Sequence, residues 1–301
     1  MTVLRMRRPT RSRRWRASLL GLALALGGCS SEVTIATFNI RLFPELGTDR
    51  AKVAETIATL DASIIAVQEI RDARALGEVL EDVSTRTARD YQVIIGTCGG
   101  DGHEITTGIV YDAEAWTVAE HRDYPDLRPD GECGQRRQPA TLGVFEDSRG
   151  RRLSVLSVHL RPFPHEFDVR REQWGRLLQR LDEIEHRYDA PAVALGDYNS
   201  TGYRGEPEAE RTFIDTMVAE AGYQLPTAGL ACTEYWRPRD DDGPFRPSML
   251  DHVVATRGRW TPARVRGMCE RLACAPTEPD AMDPDYASVS DHCPVTVSTR
   301  L

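Results

Sequence analysis

Lysine is almost missing from this 301-residue chain: Lys52 stands alone, and arginine supplies the other members of 38 basic residues, set against 46 acidic ones. The formal charge of -8 includes seven arginines before residue 17 and no acid there, so the rest of the chain sits near -8 - 7 = -15. A chain of that sign has no basic footprint, which weighs against a high-affinity DNA binder held by counterion release. It leaves room for an enzyme that needs only local phosphate contacts and a bridging cation. No two cysteines have the CxxC spacing, which disfavours a zinc site. Apolar runs long enough to span a bilayer are absent too, the best being Ala17 to Leu26. There is no internal repeat, which removes solenoids. Asp240-Asp241-Asp242 lacks the spacing and terminal glutamate of an EF-hand and reads as a solvated turn, with a structural Ca²⁺ left open.

What is present begins with a charged-then-apolar N-terminus. Arg5 to Arg16 carry the seven arginines, Ala17 to Leu26 follow, and Leu26-Gly27-Gly28-Cys29-Ser30 closes the run. That order is a secretory signal, and small residues directly before a cysteine resemble the lipobox of bacterial lipoproteins. The resemblance makes Cys29 the acylated first residue and the chain an exported protein, lipid-anchored to the cell envelope. The expected division is 1–28 signal peptide, 29–32 anchor linker and 33–301 one catalytic domain.

Apart from Cys29, six cysteines remain in a chain bound for an oxidising compartment, so three disulfides are expected among fifteen pairings. Cys98 and Cys133 sit in glycine-rich loops, and Cys269 and Cys274 flank a short turn. These local reasons favour Cys98 with Cys133 and Cys269 with Cys274, leaving Cys232 with Cys293.

From Val33 onward short strand-like runs alternate with helical patterns. Val33 to Phe38, Ile64 to Val67, Tyr91 to Ile95, Gly108 to Tyr111, Leu153 to Val158, Ala192 to Leu195, Leu250 to Ala255 and Pro294 to Val297 read as strands. Val53, Ile57 and Leu60 have helical spacing behind Thr48 or Asp49 as N-cap, and Leu76, Val79, Leu80 and Val83 behind Asp72. Trp174, Leu177, Leu178, Leu181 and Ile184 form a third helical stripe, with Trp174 in the core. Strands outnumber helices, which predicts an α/β sandwich of four layers: two mixed β-sheets face to face, with helices outside. Arg237 to Pro247 and Cys274 to Asp285 read as surface loops.

Several strands end on polar residues suited to phosphoester hydrolysis, which needs a cation against the phosphate charge, a positioned water and a proton donor for the leaving oxygen. Asn39, Glu69, Asp197, Asn199 and Asp291 offer hard oxygen ligands for Mg²⁺ or Mn²⁺. His159 and His292 offer proton transfer. His252 reads as structural, and His103, His121, His165 and His186 as surface or packing residues.

Six segments carry a resemblance to a known family. They are Thr37-Phe38-Asn39-Ile40-Arg41, Val67-Gln68-Glu69-Ile70-Arg71-Asp72, Val158-His159-Leu160, Gly196-Asp197-Tyr198-Asn199, Leu250-Asp251-His252-Val253 and Ser290-Asp291-His292-Cys293-Pro294. In this order the chain resembles the endonuclease/exonuclease/phosphatase superfamily, nearest to its secreted deoxyribonuclease I-like branch. The resemblance implies Glu69 as principal metal ligand, assisted by Asn39 and Asp291, and Asp197 and Asn199 orienting the water and the phosphate. It implies Asp251 fixing the tautomer of His292, His159 protonating the leaving oxygen, and Glu104 orienting His159. Arg41, Arg71 and Arg137 would contact the substrate. Which histidine is acid and which base stays open.

The implied function is a metal-dependent phosphodiesterase acting on DNA, monomeric and without a protein partner. The segment from Thr201 to Pro247 does not align with that branch, so the substrate is the open part. A sphingomyelinase-like phospholipase C or a phosphomonoesterase would keep the fold, although no aromatic-rich apolar hairpin for lipid entry is visible. A calcineurin-like phosphoesterase would need a downstream Gly-Asn-His, which is absent. An inert binding module has no need of all the metal and dyad positions together.

Overall fold

The computed structural model describes residues 32–45, 47–96, 105–127, 140–202, 206–238 and 241–301. In chain order its strands are β1 (Glu32–Phe43), β2 (Ile64–Ile70), β3 (Tyr91–Ile95), β4 (Thr106–Asp112), β5 (Trp116–Asp123), β6 (Ala140–Asp147) and β7 (Arg152–His159). There follow β8 (Ala192–Asp197), β9 (Glu234–Trp236), β10 (Arg246–Ser248), β11 (Asp251–Ala255), β12 (Arg259–Trp260), β13 (Arg264–Val265) and β14 (Val295–Arg300). The helices are α1 (Arg50–Thr59), α2 (Ala73–Thr87), α3 (Phe167–Tyr188), α4 (Pro207–Glu220), α5 (Met268–Arg271) and α6 (Asp285–Ser288).

One sheet runs β12-β14-β1-β2-β4-β3, with β13 also on β14; the other runs β11-β8-β7-β6-β5. Both are mixed, since β1 and β2 are parallel, as are β7 and β8, while their other ladders are antiparallel. Ile35, Ile64, Val155, Leu195 and Val295 fill the space between the sheets and are fully buried. Burial of such side chains stabilises by roughly 1.5–3 kcal/mol each. Helices α1 and α2 cover the outer face of the first sheet and α3 and α4 that of the second. The expected face-to-face sandwich with outer helices is therefore the observed fold.

The helix starts follow the sequence. Asp49 accepts from the backbone N–H groups of Ala51 and Lys52, and Asp72 from those of Arg74 and Ala75, so each carboxylate satisfies donors that the first turn leaves open. Trp174 is buried against Tyr198, ring centroids 4.6 Å apart, and donates to Ser200 Oγ. Between the sheets, Gln68 accepts from Thr37 Oγ1 at 3.2 Å and donates to Ser157 Oγ at 3.0 Å. This buried polar bridge fixes β2 against β7 immediately before Glu69.

Two disulfides correct the pairing expected from the sequence. Cys232 bonds Cys274 and Cys269 bonds Cys293, so neither Cys269 with Cys274 nor Cys232 with Cys293 forms. Cys269 lies in the first turn of α5, buried, with its N–H donating to Cys293 Sγ. The chain then reverses through Ala273 and Cys274, both with positive φ, which points Cys274 to the other side of the turn and onto Cys232. The pairs close loops of 42 and 24 residues and tie the segment after β13 to β14 and to the loop before β9. Cys98 and Cys133, like Cys29, lie outside the described residues. So does Asp240, while Asp241 forms a turn by accepting from the Gly243 N–H.

The stretch read as loop from Arg237 to Pro247 ends instead in β10, which pairs with β9 as a two-stranded ribbon. Strands β5 and β6 and helix α4 add to the elements expected from the pattern.

Candidate active site

Strand register lines up three of the expected residues. β7 pairs with β8 so that His159 lies opposite Asp197, and β8 pairs with β11 so that Asp197 lies opposite Asp251. The approach of β8 to β7 depends on Gly196: its φ is +152°, and a Cβ there would come within 2.1 Å of the Val158 carbonyl oxygen. On the other sheet, Asn39 lies opposite Gln68, after which the β1–β2 ladder shifts register before resuming at Phe43 and Ile70. Arg41, Leu42 and Glu69 have positive φ across that irregularity. Such backbone costs about 1–3 kcal/mol per residue and clusters where function requires it. Its local compensation is a hydrogen bond from the Leu42 N–H to Glu69 Oε2 at 2.9 Å.

Asp197 is the hub. Its Oδ1 accepts from the Asn199 N–H at 2.8 Å, and its Oδ2 accepts from Asn39 Nδ2 at 3.0 Å. The same Oδ2 lies 3.5 Å from His159 Nε2 and 3.7 Å from His292 Nε2. Glu69 Oε1 stands 3.7 Å from His159 Nε2. Burial raises the proton affinity of Asp197, an effect that Asp251 and Glu69 reinforce and the two histidines oppose.

His292 and Asp251 form a buried pair, with Nδ1 to Oδ2 at 2.9 Å. Burial opposes the imidazolium, but Asp251, Asp197 and Asp291 outweigh it and hold the proton affinity of His292 well above the ordinary histidine range. With Nδ1 taken by Asp251, Nε2 is the nitrogen turned to Asp197.

The other expected residues divide. Asn39 is fully buried and positions Asp197, while its Oδ1 accepts from the Arg41 N–H at 3.0 Å. Asp291 is half-buried, and the adjacent Ser290 Oγ donates to the Asn39 carbonyl at 2.8 Å, joining the β14 approach to β1. Asn199 has a left-handed backbone, and its side-chain amide donates to the Leu160 carbonyl. Arg41, expected on the substrate side, gives its guanidinium to the carbonyls of Tyr286 and Ala287 and lies 3.6 Å from Glu45. Arg71 is exposed at the end of β2. Glu104 and Arg137 lie outside the described residues, and so does His103. His252 is buried with its pKa lowered to about 4 by burial, and so is a neutral structural residue. His121, His165 and His186 are on the surface.

Three features carried no sequence signal. Glu234, on β9, forms an isolated backbone bridge with His292 and is buried beside it. Arg170 and Glu210 form a buried ion pair: Arg170 also donates to the Phe163 carbonyl at 2.6 Å, and Glu210 accepts from the Thr201 N–H at 2.7 Å. Phe163 and Trp236 line the same cavity, of about 240 Å³, as Glu69, His159, Asp197 and His292. All three involve the stretch between Thr201 and Pro247 or the loop after His159, whose chemistry depends on tertiary contacts.

Glu69, Asp197, Asp251, Asp291 and Glu234 gather here, with His159 among them and His292 as a counter-charge. Glu69, His159 and Asp197 each offer a ligand atom within 4.8 Å of the others, as do Asp197, Asp251 and His292. A carboxylate-rich, partly closed set of hard oxygen donors fits a divalent cation.

Comparison with known proteins bears on the fold and the family. No curated protein sequence matches the chain. Among solved structures, D. rerio TDP2 complexed with single-strand DNA product is 17% identical, with a TM-score of 0.61 over 90% of this chain and 100% of that one. A mannosyl-6-phosphatase from Bacteroides thetaiotaomicron is 16% identical, with a TM-score of 0.58 over 89% and 100%. An endonuclease/exonuclease/phosphatase family protein from Leptotrichia buccalis is 14% identical, with a TM-score of 0.62 over 89% and 100%. The sequence itself matches the Endonuclease/Exonuclease/phosphatase family over residues 36–292, from β1 to the His292 dyad, and the chain belongs to that family.

Proposed function

We propose that the protein is an exported, lipid-anchored, metal-dependent phosphodiesterase whose substrate is DNA. The observation that carries the chemistry is the convergence of His159 and His292 on one Asp197 oxygen, with Glu69 beside them at the wall of a single cavity. The export and anchor rest on the order arginine-rich, apolar, Gly27-Gly28-Cys29. A diacylglycerol adduct on Cys29 in the mass spectrum of the mature protein is the expected result, and an unmodified N-terminus removes the anchor.

Glu69, with Asn39 and Asp291 beside it, would hold a Mg²⁺ or Mn²⁺, which when bound offsets phosphate charge. Asp197, held by Asn39 and the Asn199 N–H, orients the attacking water and takes its proton. His292, charged against Asp251, donates from Nε2 to a phosphate oxygen as negative charge builds there. His159 gives a proton to the leaving oxygen as the P–O bond breaks, while the bond from the water oxygen to phosphorus forms. The orientation by which His159 works is supported by Asp197 Oδ2 and Glu69 Oε1 on its Nε2 side.

A second reading, a phosphomonoesterase, is favoured by the cavity. Its one described arginine or lysine is Arg170, already paired with Glu210, which gives a long polyanion little to hold beyond His292. Incubation of the mature protein with plasmid DNA and Mn²⁺, alongside EDTA and His159→Ala controls, decides between them. Nicking lost in both controls is expected; intact plasmid together with release of phosphate from monoesters moves the function to the second reading.

A further inference from the structure

The hydrolytic groups occupy only part of their cavity. Beyond them the wall contains Glu234, Trp236 and Phe163, none of which the proposed bond cleavage uses. Glu234 is 5% exposed, and its Oε2 has no hydrogen-bond partner. A buried carboxyl oxygen without a partner costs free energy unless something donates to it. Glu234 belongs to neither of the two candidate ligand clusters among the described residues. Burial, and the neighbouring Asp291 and Asp197, raise its proton affinity well above the usual range, while His292 opposes them.

Phe163 is the one exposed large apolar side chain among the described residues, at 54%. Its φ is +79°, a conformation rare for an aromatic residue, and its carbonyl is clamped by Arg170, itself fixed by Glu210. The strained backbone thus holds an aromatic face at the cavity wall instead of letting it pack into the core. The combination is an aromatic surface near a buried acceptor that lacks a donor, all within one cavity of the phosphate site.

We infer that Phe163, Trp236 and Glu234 form the subsite for the ring of the esterified alcohol, a nucleoside or a sugar that lays a face on the aromatics and donates a hydroxyl or amino hydrogen to Glu234. The inference rests on the reading of the site as a phosphoester hydrolase and names what that phosphate is joined to. Nucleosides and sugars share a ring face and adjacent donors. Simple aryl or alkyl phosphates lack the donors, and a choline or ethanolamine headgroup ester lacks the ring.

Binding of non-hydrolysable phosphonates to the mature protein in Mn²⁺, followed by calorimetry, tests this apart from turnover. The probes are the phosphonate analogues of a nucleoside monophosphate and of a hexose 6-phosphate, with phenylphosphonate as a ring without donors. Wild type should bind one donor-bearing ring about tenfold more tightly than phenylphosphonate, the effect of one satisfied buried hydrogen bond. Glu234→Leu should erase that preference, and Glu234→Gln, which keeps an acceptor oxygen, should restore most of it. Phe163→Ala, at an exposed side chain, should weaken every ring-bearing probe by about tenfold, and it serves if Glu234→Leu does not fold. Which probe wins identifies nucleoside or sugar. Equal binding of all three probes by wild type, a preference that survives Glu234→Leu, or affinities unchanged in Phe163→Ala overturns the subsite. Hydrolysis of bis(4-nitrophenyl) phosphate by wild type is scored separately, so failure of the hydrolase reading is distinguishable from failure of the subsite.

Discussion

His292 Nδ1 lies 2.9 Å from Asp251 Oδ2, and both side chains are buried at the junction of the two sheets. The carboxylate fixes which nitrogen of the ring faces the cavity and stabilises the charged ring. Asp251→Asn keeps the shape but loses both effects, so kcat on bis(4-nitrophenyl) phosphate should fall by about 100-fold or more, with KM changed far less. Steady-state kinetics check this; a kcat close to wild type would make the pair structural only.

Glu69 should matter most for the cation. Its Oε2 is anchored by the Leu42 N–H and its Oε1 is turned towards His159. Glu69→Gln preserves an acceptor for Leu42 while removing the charge, so the fold should hold and Mn²⁺ affinity should drop by more than about tenfold. Calorimetric titration of Mn²⁺ into both proteins reads this directly. Unchanged affinity would place the cation elsewhere.

Why so much of this site was legible in the sequence, and the rest not, follows from where the residues stand. Glu69, His159, Asp197 and Asp251 lie at or next to strand ends, and Asn39 where the β1–β2 ladder breaks register, so that a local apolar run delivers a polar residue to the edge of the paired sheet. That pattern is local, so it is visible. Glu234 and Glu210 come from β9 and α4, in a segment with no matching motif, and acquire meaning only through His292 and Arg170 across the fold. Arg41 shows the reverse: its place two residues after Asn39 is visible in the sequence, but the bond of its guanidinium to the Tyr286 carbonyl, beside the left-handed turn at Arg41 and Leu42, is a tertiary feature. The cysteine pairing failed because nearness does not settle where side chains point: the Cys274 N–H reaches the Cys269 carbonyl at 3.2 Å, yet Cys269 bonds Cys293 and Cys274 bonds Cys232.

The observed disulfides should contribute appreciably to stability. Closing 24 and 42 residues removes enough chain entropy from the unfolded state to stabilise by about 3–4 kcal/mol each. Paired substitution of Cys269 and Cys293 by alanine, or of Cys232 and Cys274, should lower the unfolding free energy by that scale, with a steeper denaturant slope because the less constrained unfolded chain exposes more surface. A non-reducing peptide map should show Cys232 joined to Cys274 and Cys269 to Cys293, and the same map reports whether Cys98 and Cys133 are joined. Fragments linking Cys269 to Cys274 would sink the assignment.

His252 should make the protein sensitive to mild acid. It is buried between Tyr198, Trp174 and the Ser200 carbonyl, and burial lowers its pKa from 6.5 to about 4. The folded state therefore binds this proton less well than the unfolded chain. Its contribution to stability is complete above the unfolded pKa, near 6.5, and is lost as pH falls towards 4. Between pH 7 and 5 the unfolded state gains the proton and the folded state does not, which removes roughly 2 kcal/mol through this one group. His252→Phe keeps the aromatic packing and deletes the titration, so urea unfolding of that variant should lose about that much less than wild type over the same pH interval. Parallel pH dependence in the two proteins would mean that other groups, chiefly the buried carboxylates, govern the acid response.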